Sequence, residues 1–427
     1  MSAARRRHRA VWPRRRPSLC AGTRRSGALR GKYTVEGGSL MQNFEYHNPT
    51  KILFGRGQIA AIGREIPPGT KVLMTYGGGS IRSNGVYDQV KEALARCTLI
   101  EFGGIQPNPE YRTLMEAVRL ARTEKAEFLL AVGGGSVLDG TKFIAAAIPF
   151  EGEPWDIVRK GAEVKSAVPL GSVLTLPATG SEANPYAVIS RAEAGEKLAF
   201  SSPHVYPKFS VLDPETTFSL PPRQVANGIV DAYVHTMEQY LTFPANAELN
   251  DRFAEAILLT LIEVGPKTLA SPNDYDARAT FVWAATLALN GLIGCGVPQD
   301  WATHMIGHEL TALYGIDHAR TLAVVAPHLY RALSREKAAK LLQYGKRVWD
   351  IHDGAEEERI EAAIRRTEEF FESLGVPTRL AHYEGVRPET PREVAERLKQ
   401  RGMEKLGERG AVVPAVVEEI LARSLAA

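Results

Sequence analysis

From Lys51 onward the chain alternates short apolar runs that end in glycine with amphipathic stretches, the pattern of successive strand–helix units. Lys71–Tyr76 runs into Gly77, Gly78, Gly79 and Ser80, and a helical pattern follows through Val86, Val90 and Leu94. Residues 98–102 read as a second strand and 110–125 as a second helix. Phe128–Val132 then meets Gly133, Gly134, Gly135 and Ser136, with a helix through Lys142 to Ala147. After Pro169, residues 173–176 and 209–212 read as further strands, so an open, mostly parallel sheet is expected. The pattern stops at Leu220-Pro221-Pro222, beyond which residues 225–240, 251–264, 277–289, 302–314, 338–349 and 356–374 read as helices. Gly228 and Pro266 are the weak points of that reading, because each costs a helix interior stability. The expected division is therefore a leader (1–40), an α/β Rossmann-like domain (41–220) and an all-helical domain (221–427), with the boundary near 218–222.

Composition changes this picture only at the start of the chain. Over 427 residues, 44% hydrophobic and 24% charged side chains describe an ordinary globular protein. The net charge of +3 is unevenly held: residues 1–40 carry ten arginines and Lys32 against Glu36, a balance of +10 that leaves −7 on the rest. Pro13, Pro17 and five glycines from Gly22 to Gly38 leave that segment no helical period, so it reads as disordered. Nucleic-acid binding and organelle targeting are its functional readings, although the prolines spoil the amphipathic helix that targeting usually needs. A non-native leader or an over-called start is the plainer alternative, since ordered patterning begins at Met41. The total charge therefore implies neither a nucleic-acid nor a membrane partner. Cys20, Cys97 and Cys295 form no C-x-x-C pair, which removes a disulfide framework and a thiolate zinc site and fits a reducing, cytoplasmic setting. No run of about 18 apolar residues suggests a membrane span.

Five of the ten histidines fall between residues 235 and 328, where apolar helices would ordinarily exclude them. Asp231 and His235 are four apart on one expected helix and share a face; His304 and His308 repeat the spacing, and His318 follows in an expected loop after Gly315. One such pair alone is more often a surface pair than a ligand pair. Two helices of this kind plus a third histidine reverse that balance. A divalent ion held by one carboxylate and two or three imidazoles keeps net positive charge and is a good Lewis acid for a substrate oxygen. Met305 excludes the H-E-x-x-H metalloprotease pattern. A two-histidine, one-carboxylate iron site remains formally open, with the surplus of imidazoles and the glycine turns against it. Those turns, Gly77–Ser80 and Gly133–Ser136, let backbone N–H groups approach a phosphate at the positive end of a helix. Neither is a G-x-G-x-x-G fingerprint, and Thr141 preceding Lys142 excludes a P-loop. Either turn alone could be a tight connection. Beside a metal cluster, a dinucleotide facing an ion becomes the leading reading.

The sequence resembles the iron-containing (group III) alcohol dehydrogenases, in their bacterial NADPH-dependent aldehyde reductase and butanol dehydrogenase branch, from residue 41 to about 420. Asp213, Pro221, Gly228, Asp231-Ala232 and Glu238 match the first signature of that family, with Tyr233 where an aliphatic residue or Phe is usual. His304, Gly307-His308, Leu310-Thr311-Ala312, Ile316 and His318-Ala319, within Trp301–Thr321, match the second. The resemblance implies a dehydroquinate synthase-like architecture and metal-dependent, reversible reduction of small aldehydes to primary alcohols by a homodimer. It places Asp231, His235, His304 and His318 on the ligands of one divalent ion, zinc or iron, and His308 beside it, orienting substrate or relaying a proton. It places Gly133–Ser136 and Asp139 on the pyrophosphate, and Thr179, Ser181 and Lys197 on further cofactor contacts. Gly77 and Gly78 stand where NAD-dependent members carry an acid, with Gly79, Ser80 and Arg82 following, so NADP(H) is the expected cofactor. Glu101, at the end of the second strand, is the counter-signal. A lyase similar to the dehydroquinate synthases, with the same nucleotide and ion, is the alternative.

Overall fold

The computed structural model describes residues 41–425, so the expectation for the arginine-rich leader lies outside the described residues. Six strands, β1 (Lys51–Phe54), β2 (Lys71–Tyr76), β3 (Thr98–Phe102), β4 (Phe128–Gly134), β5 (Leu170–Leu176) and β8 (Phe209–Leu212), form one parallel sheet in the order β1-β8-β5-β4-β2-β3. The central strand β4 is buried on both faces, which is why its sequence is a continuous apolar run rather than an alternation. Between β5 and β8 a separate antiparallel hairpin is inserted, β6 (Tyr186–Arg191) and β7 (Glu196–Ser201). The chain order jumps back over β2 between β3 and β4, so β2 and β4 flank the point where the direction of winding reverses.

The α/β part also carries α1 (Ile62–Glu65), α2 (Ser80–Ser83), α3 (Val86–Ala93), α4 (Tyr111–Glu124), α5 (Gly135–Ala147) and α6 (Trp155–Arg159). The helical part comprises α7 (Pro222–Tyr240), α8 (Glu248–Ala270), α9 (Tyr275–Ala288), α10 (Ala302–Tyr314), α11 (His318–Ala332), α12 (Ala338–Val348), α13 (Glu356–Ser373), α14 (Thr390–Gln400) and α15 (Pro414–Leu425). Pro222 opens α7, where a missing N–H costs nothing, and every residue from Val225 to Tyr240 is buried. This helix is the axis of the largest apolar cluster, in which Tyr233, Met237, Leu322, Val325 and Phe371 are fully enclosed.

Several local expectations are corrected. His318 does not lie in a loop: it is the first residue of α11, which starts three residues after Gly315 closes α10 in the left-handed region (φ 67°). Pro327 inside α11 masks that helix in the sequence, as Pro266 masks the full extent of α8. The second glycine cluster sits at a strand-to-helix junction as expected, Gly133 and Gly134 ending β4 and Gly135 beginning α5. α7 runs unbroken through Gly228 because a Cβ there would overlap the carbonyl oxygen of Pro177, so the helix approaches the segment after β5 as only glycine allows. The hairpin β6–β7 and the short edge strand β1 carry too weak an alternation to be read from sequence.

Candidate active site

The two glycine clusters end neighbouring strands at the winding reversal, where the carboxyl ends of a parallel sheet open a crevice. They are not equivalent. Cβ atoms on Gly133, Gly134 and Gly135 would fall within 2.6–2.9 Å of Val137, Leu176 and Thr179, so the packing of the protein itself demands these glycines. A Cβ on Gly78 or Gly79 would meet nothing within 4 Å; Gly79 needs glycine for its φ of +100°, but Gly78 has no internal reason to be one. Open space over Gly78 and the exposed Ser80 is what a ligand phosphate needs. The 13-residue α5 begins at Gly135 directly after β4 with no side-chain cap, so its first N–H groups lie free at that end of the sheet.

Asp139, Thr179 and Ser181 meet behind these turns. The Ser181 hydroxyl donates to Asp139 Oδ1 (2.7 Å), the backbone N–H of Val188 donates to Oδ2 (2.9 Å), and the N–H of Ser181 donates to Thr179 Oγ1 (3.2 Å). Lys142, one turn beyond Asp139 on α5, donates to Ser181 Oγ (2.8 Å), Asn184 Oδ1 (3.1 Å) and the carbonyl of Tyr186 (2.7 Å). Burial pushes its ammonium down to about 8 against the opposing pull of Asp139 and Glu182. Lys142 is a residue of this buried network that sequence reasoning missed, although it lies three residues from Asp139 on one helix. Burial likewise lowers Lys197, on β7, to about 8, opposed by the carboxylates of Asp231 and Asp139. Lys197 therefore stands in the field of both halves of the crevice.

On the helical side α7 supplies Asp231 and His235, α10 supplies His304 and His308, and α11 supplies His318. Ligand atoms of Asp231, His304 and His318 lie within 4.8 Å of one another. His235 Nε2 and His318 Nε2 are each 3.8 Å from Asp231 Oδ1. His235 stacks on His304 with ring centroids 4.7 Å apart, and His308 lies 5.1 Å from His318 by the same measure, beside the three. Burial depresses His235 and His304 to about 4 and His308 and His318 well below the ordinary imidazole value, so all four are neutral, the form that binds a cation. Asp231 Oδ1 and His304 Nε2 are buried without a hydrogen-bond partner, a costly arrangement that a divalent ion would relieve, and His235 and His318 turn their Nε2 atoms toward the same carboxylate. The cluster of one carboxylate and two imidazoles, Asp231, His304 and His318, thus fits such an ion, while His235, the fourth expected ligand, lies beside that cluster against Asp231 and His304. The remaining histidine of the group, His328, is buried elsewhere on α11, close to Glu368, Arg331 and Arg379.

Beside these residues the two halves adjoin at the segment after β5. Residues 177–181 touch α7 at Gly228, and Thr179 abuts Gly135 at the head of α5.

Residues 49–214 match the family model described as iron-containing alcohol dehydrogenase, and 225–423 match that of the C-terminal part of the same family. The chain is 60% identical over 371 residues to the NADPH-dependent aldehyde reductase YqhD of Escherichia coli, covering 86% of this chain and 96% of that protein. It is 44% identical to the probable NADH-dependent butanol dehydrogenase 1 of Bacillus subtilis, covering 81% and 90%. The crystal structure of E. coli YqhD superposes with a TM-score of 0.89 at 57% identity, covering 91% of this chain and all of that one.

Proposed function

The chain belongs to the iron-containing alcohol dehydrogenase family, and from that premise we propose that it reduces small aldehydes to primary alcohols, reversibly, with NADPH and one divalent metal ion. The carrying observation is the cluster of Asp231, His304 and His318, with Asp231 Oδ1 and His304 Nε2 buried and partnerless, which adjoins through Pro177 and Thr179 the glycines at the ends of β2 and β4. Bound there, NADPH supplies a hydride and the ion supplies the positive charge that polarises a carbonyl. Asp231, His235, His304 and His318 would hold the ion, and zinc or iron suits the set equally. Backbone N–H groups of Gly77–Ser80 and Gly133–Ser136 would receive phosphate oxygens, while Asp139, Thr179 and Ser181 hold the head of α5 in place. Lys197 adds a cation between the two sets of carboxylates. His308, buried with its ring 5.1 Å from that of His318, would orient substrate or relay a proton beside the ion. The lyase alternative would return its nucleotide unchanged.

The expected division of labour is a nucleotide-binding part over 41–220 and a metal-binding part over 221–427. We also propose a cytoplasmic homodimer; β1 is a sheet edge, and Phe54 and Trp283 pair at 6.0 Å on the exposed surface beside it. Among the described residues no helix is long and apolar enough to cross a membrane.

The test is His304→Ala. It should abolish bound metal and aldehyde-dependent NADPH oxidation together, read by elemental analysis and by nucleotide absorbance. Net NADPH oxidation by short aldehydes in the wild type excludes the lyase, and full turnover of a metal-free His304→Ala preparation would overturn the metal reading.

A further inference from the structure

Glu238 lies three residues beyond His235 and seven beyond Asp231, so all three side chains rise from one face of the buried helix α7. Its carboxylate meets Nδ1 of His304 across the gap to α10, and its Oε1 also accepts the backbone N–H of His304 (3.3 Å). The residue is 4% exposed, and no cation of the chain pairs with it among the described residues. The other ring nitrogen of His304, Nε2, is buried, has no partner, and belongs to the ring that clusters with Asp231 and His318. An imidazole whose Nδ1–H is taken by a carboxylate keeps one lone pair, on Nε2, and keeps its ring plane fixed.

A second set of contacts stiffens the pair from behind. The N–H of Asp300 donates to the carbonyl of Glu238 (2.8 Å), and Asp300 Oδ1 accepts the N–H of Ala302 (3.0 Å), the first residue of α10. Asp300 Oδ2 is held by the buried ammonium of Lys337 (2.8 Å), which also donates to Glu408 (3.1 Å) and to the carbonyl of Leu241 (2.8 Å), just past the end of α7. The last turns of α7 and the first turn of α10 are thus tied together around the Glu238–His304 contact. A free surface carboxylate would gain nothing from that backing.

We propose that Glu238 is the positioning residue of the metal centre: it accepts the Nδ1 hydrogen of His304, selects that tautomer and presents Nε2 to the ion. The inference rests on the proposed metal site. Outer partners of metal-bound imidazoles typically change affinity by about 10–100-fold.

The experiment compares metal-free wild type, Glu238→Gln and Glu238→Leu protein. Each is titrated with Zn2+ against a competing chelator, and the His304 tautomer is read from ring-nitrogen resonances of 15N-histidine-labelled protein. Wild type should bind tightly with His304 protonated at Nδ1. Glu238→Leu should bind about 10–100-fold more weakly and lose that single tautomer. Glu238→Gln, whose amide oxygen can still accept, should keep the tautomer and fall between the two. Wild-type affinity in a folded Glu238→Leu protein, or an unchanged tautomer, overturns the proposal while leaving the metal site intact. Absence of binding by the wild type overturns both. If Glu238→Leu does not fold, Glu238→Gln decides: affinity equal to wild type with Nδ1 unprotonated overturns the role, and weakened affinity with Nδ1 protonated supports it.

Discussion

Arg82 and Glu101 answer together a question that each poses alone. Glu101 sits at the end of β3, where a free carboxylate would favour the ribose of NAD. It is not free: the Tyr87 hydroxyl donates to Oε1 (2.7 Å) and Arg82 donates to Oε2 (3.0 Å). Arg82 also donates to the Tyr76 hydroxyl (2.7 Å) and lies 4.1 Å over the Tyr87 ring, yet keeps half its side chain in solvent. The pair leaves a half-exposed guanidinium two residues beyond Ser80 and a carboxylate already occupied by Arg82 and Tyr87. Arg82→Ala should therefore raise the KM for NADPH about tenfold and leave that for NADH unchanged, the loss expected of one exposed charge-assisted contact. His328 carries a different prediction, about stability. Burial lowers its imidazole to about 4, opposed by Glu368 and reinforced by Arg379 and Arg331. The folded state therefore excludes a proton that the unfolded chain takes up near pH 6.5, and stability present above that pH is lost as it falls toward 4. His328→Leu should reduce the destabilisation between pH 7 and pH 5 by about 2 kcal/mol, read from urea midpoints of both proteins at both pH values.

At the scale of elements, glycine does three jobs that look identical in the sequence. Gly133–Gly135 are required by the side chains of Val137, Leu176 and Thr179, Gly228 by the carbonyl of Pro177, and Gly78 by nothing inside the protein. Helix propensity alone favours Gly228→Ala by about 1 kcal/mol. The overlap with a backbone atom should reverse the sign and destabilise the protein by about 1–3 kcal/mol in thermal or urea melts. Gly78→Ala should leave those melts within about 0.5 kcal/mol and weaken NADPH binding, measured by titration of nucleotide fluorescence. The amphipathic helices and apolar strands were legible because each repeats one period over many residues, as α4 does from Tyr111 to Glu124 with Leu114, Ala117, Val118 and Ala121 on its buried face. α11 was not, because Pro327 breaks the expected pattern while its other contacts compensate within the core. The histidine-rich cluster was legible through the i, i+4 spacing of Asp231 and His235 and of His304 and His308. Lys142 was passed over since a lysine on an apolar helix shows its role only when its acceptors, Ser181 and Asn184, are placed beside it.

At the scale of the molecule, the parallel sheet brings residues 77–80 and 133–136 onto adjacent strands, and α7 carries Asp231 and His235 to the segment next to them. Two expectations belong here. Removing residues 1–40 should leave aldehyde reduction by NADPH at the full-length rate, since every site residue lies beyond Met41. Trp283→Glu should convert a dimer to a monomer in light scattering, because it puts charge into the exposed aromatic pair at the sheet edge. The sequence by itself determined most of the element types, the α/β-then-helical order and the candidate donors Asp231, His235, His304, His308 and His318, because periodicity, glycine placement and the spacing of histidines are properties of the chain alone. Only the tertiary structure decided that β2 and β4 are neighbours, that Glu101 is paired, and that Glu238 reaches His304. Those contacts join residues far apart in the chain, and strand order and helix packing, rather than any local pattern, bring them together.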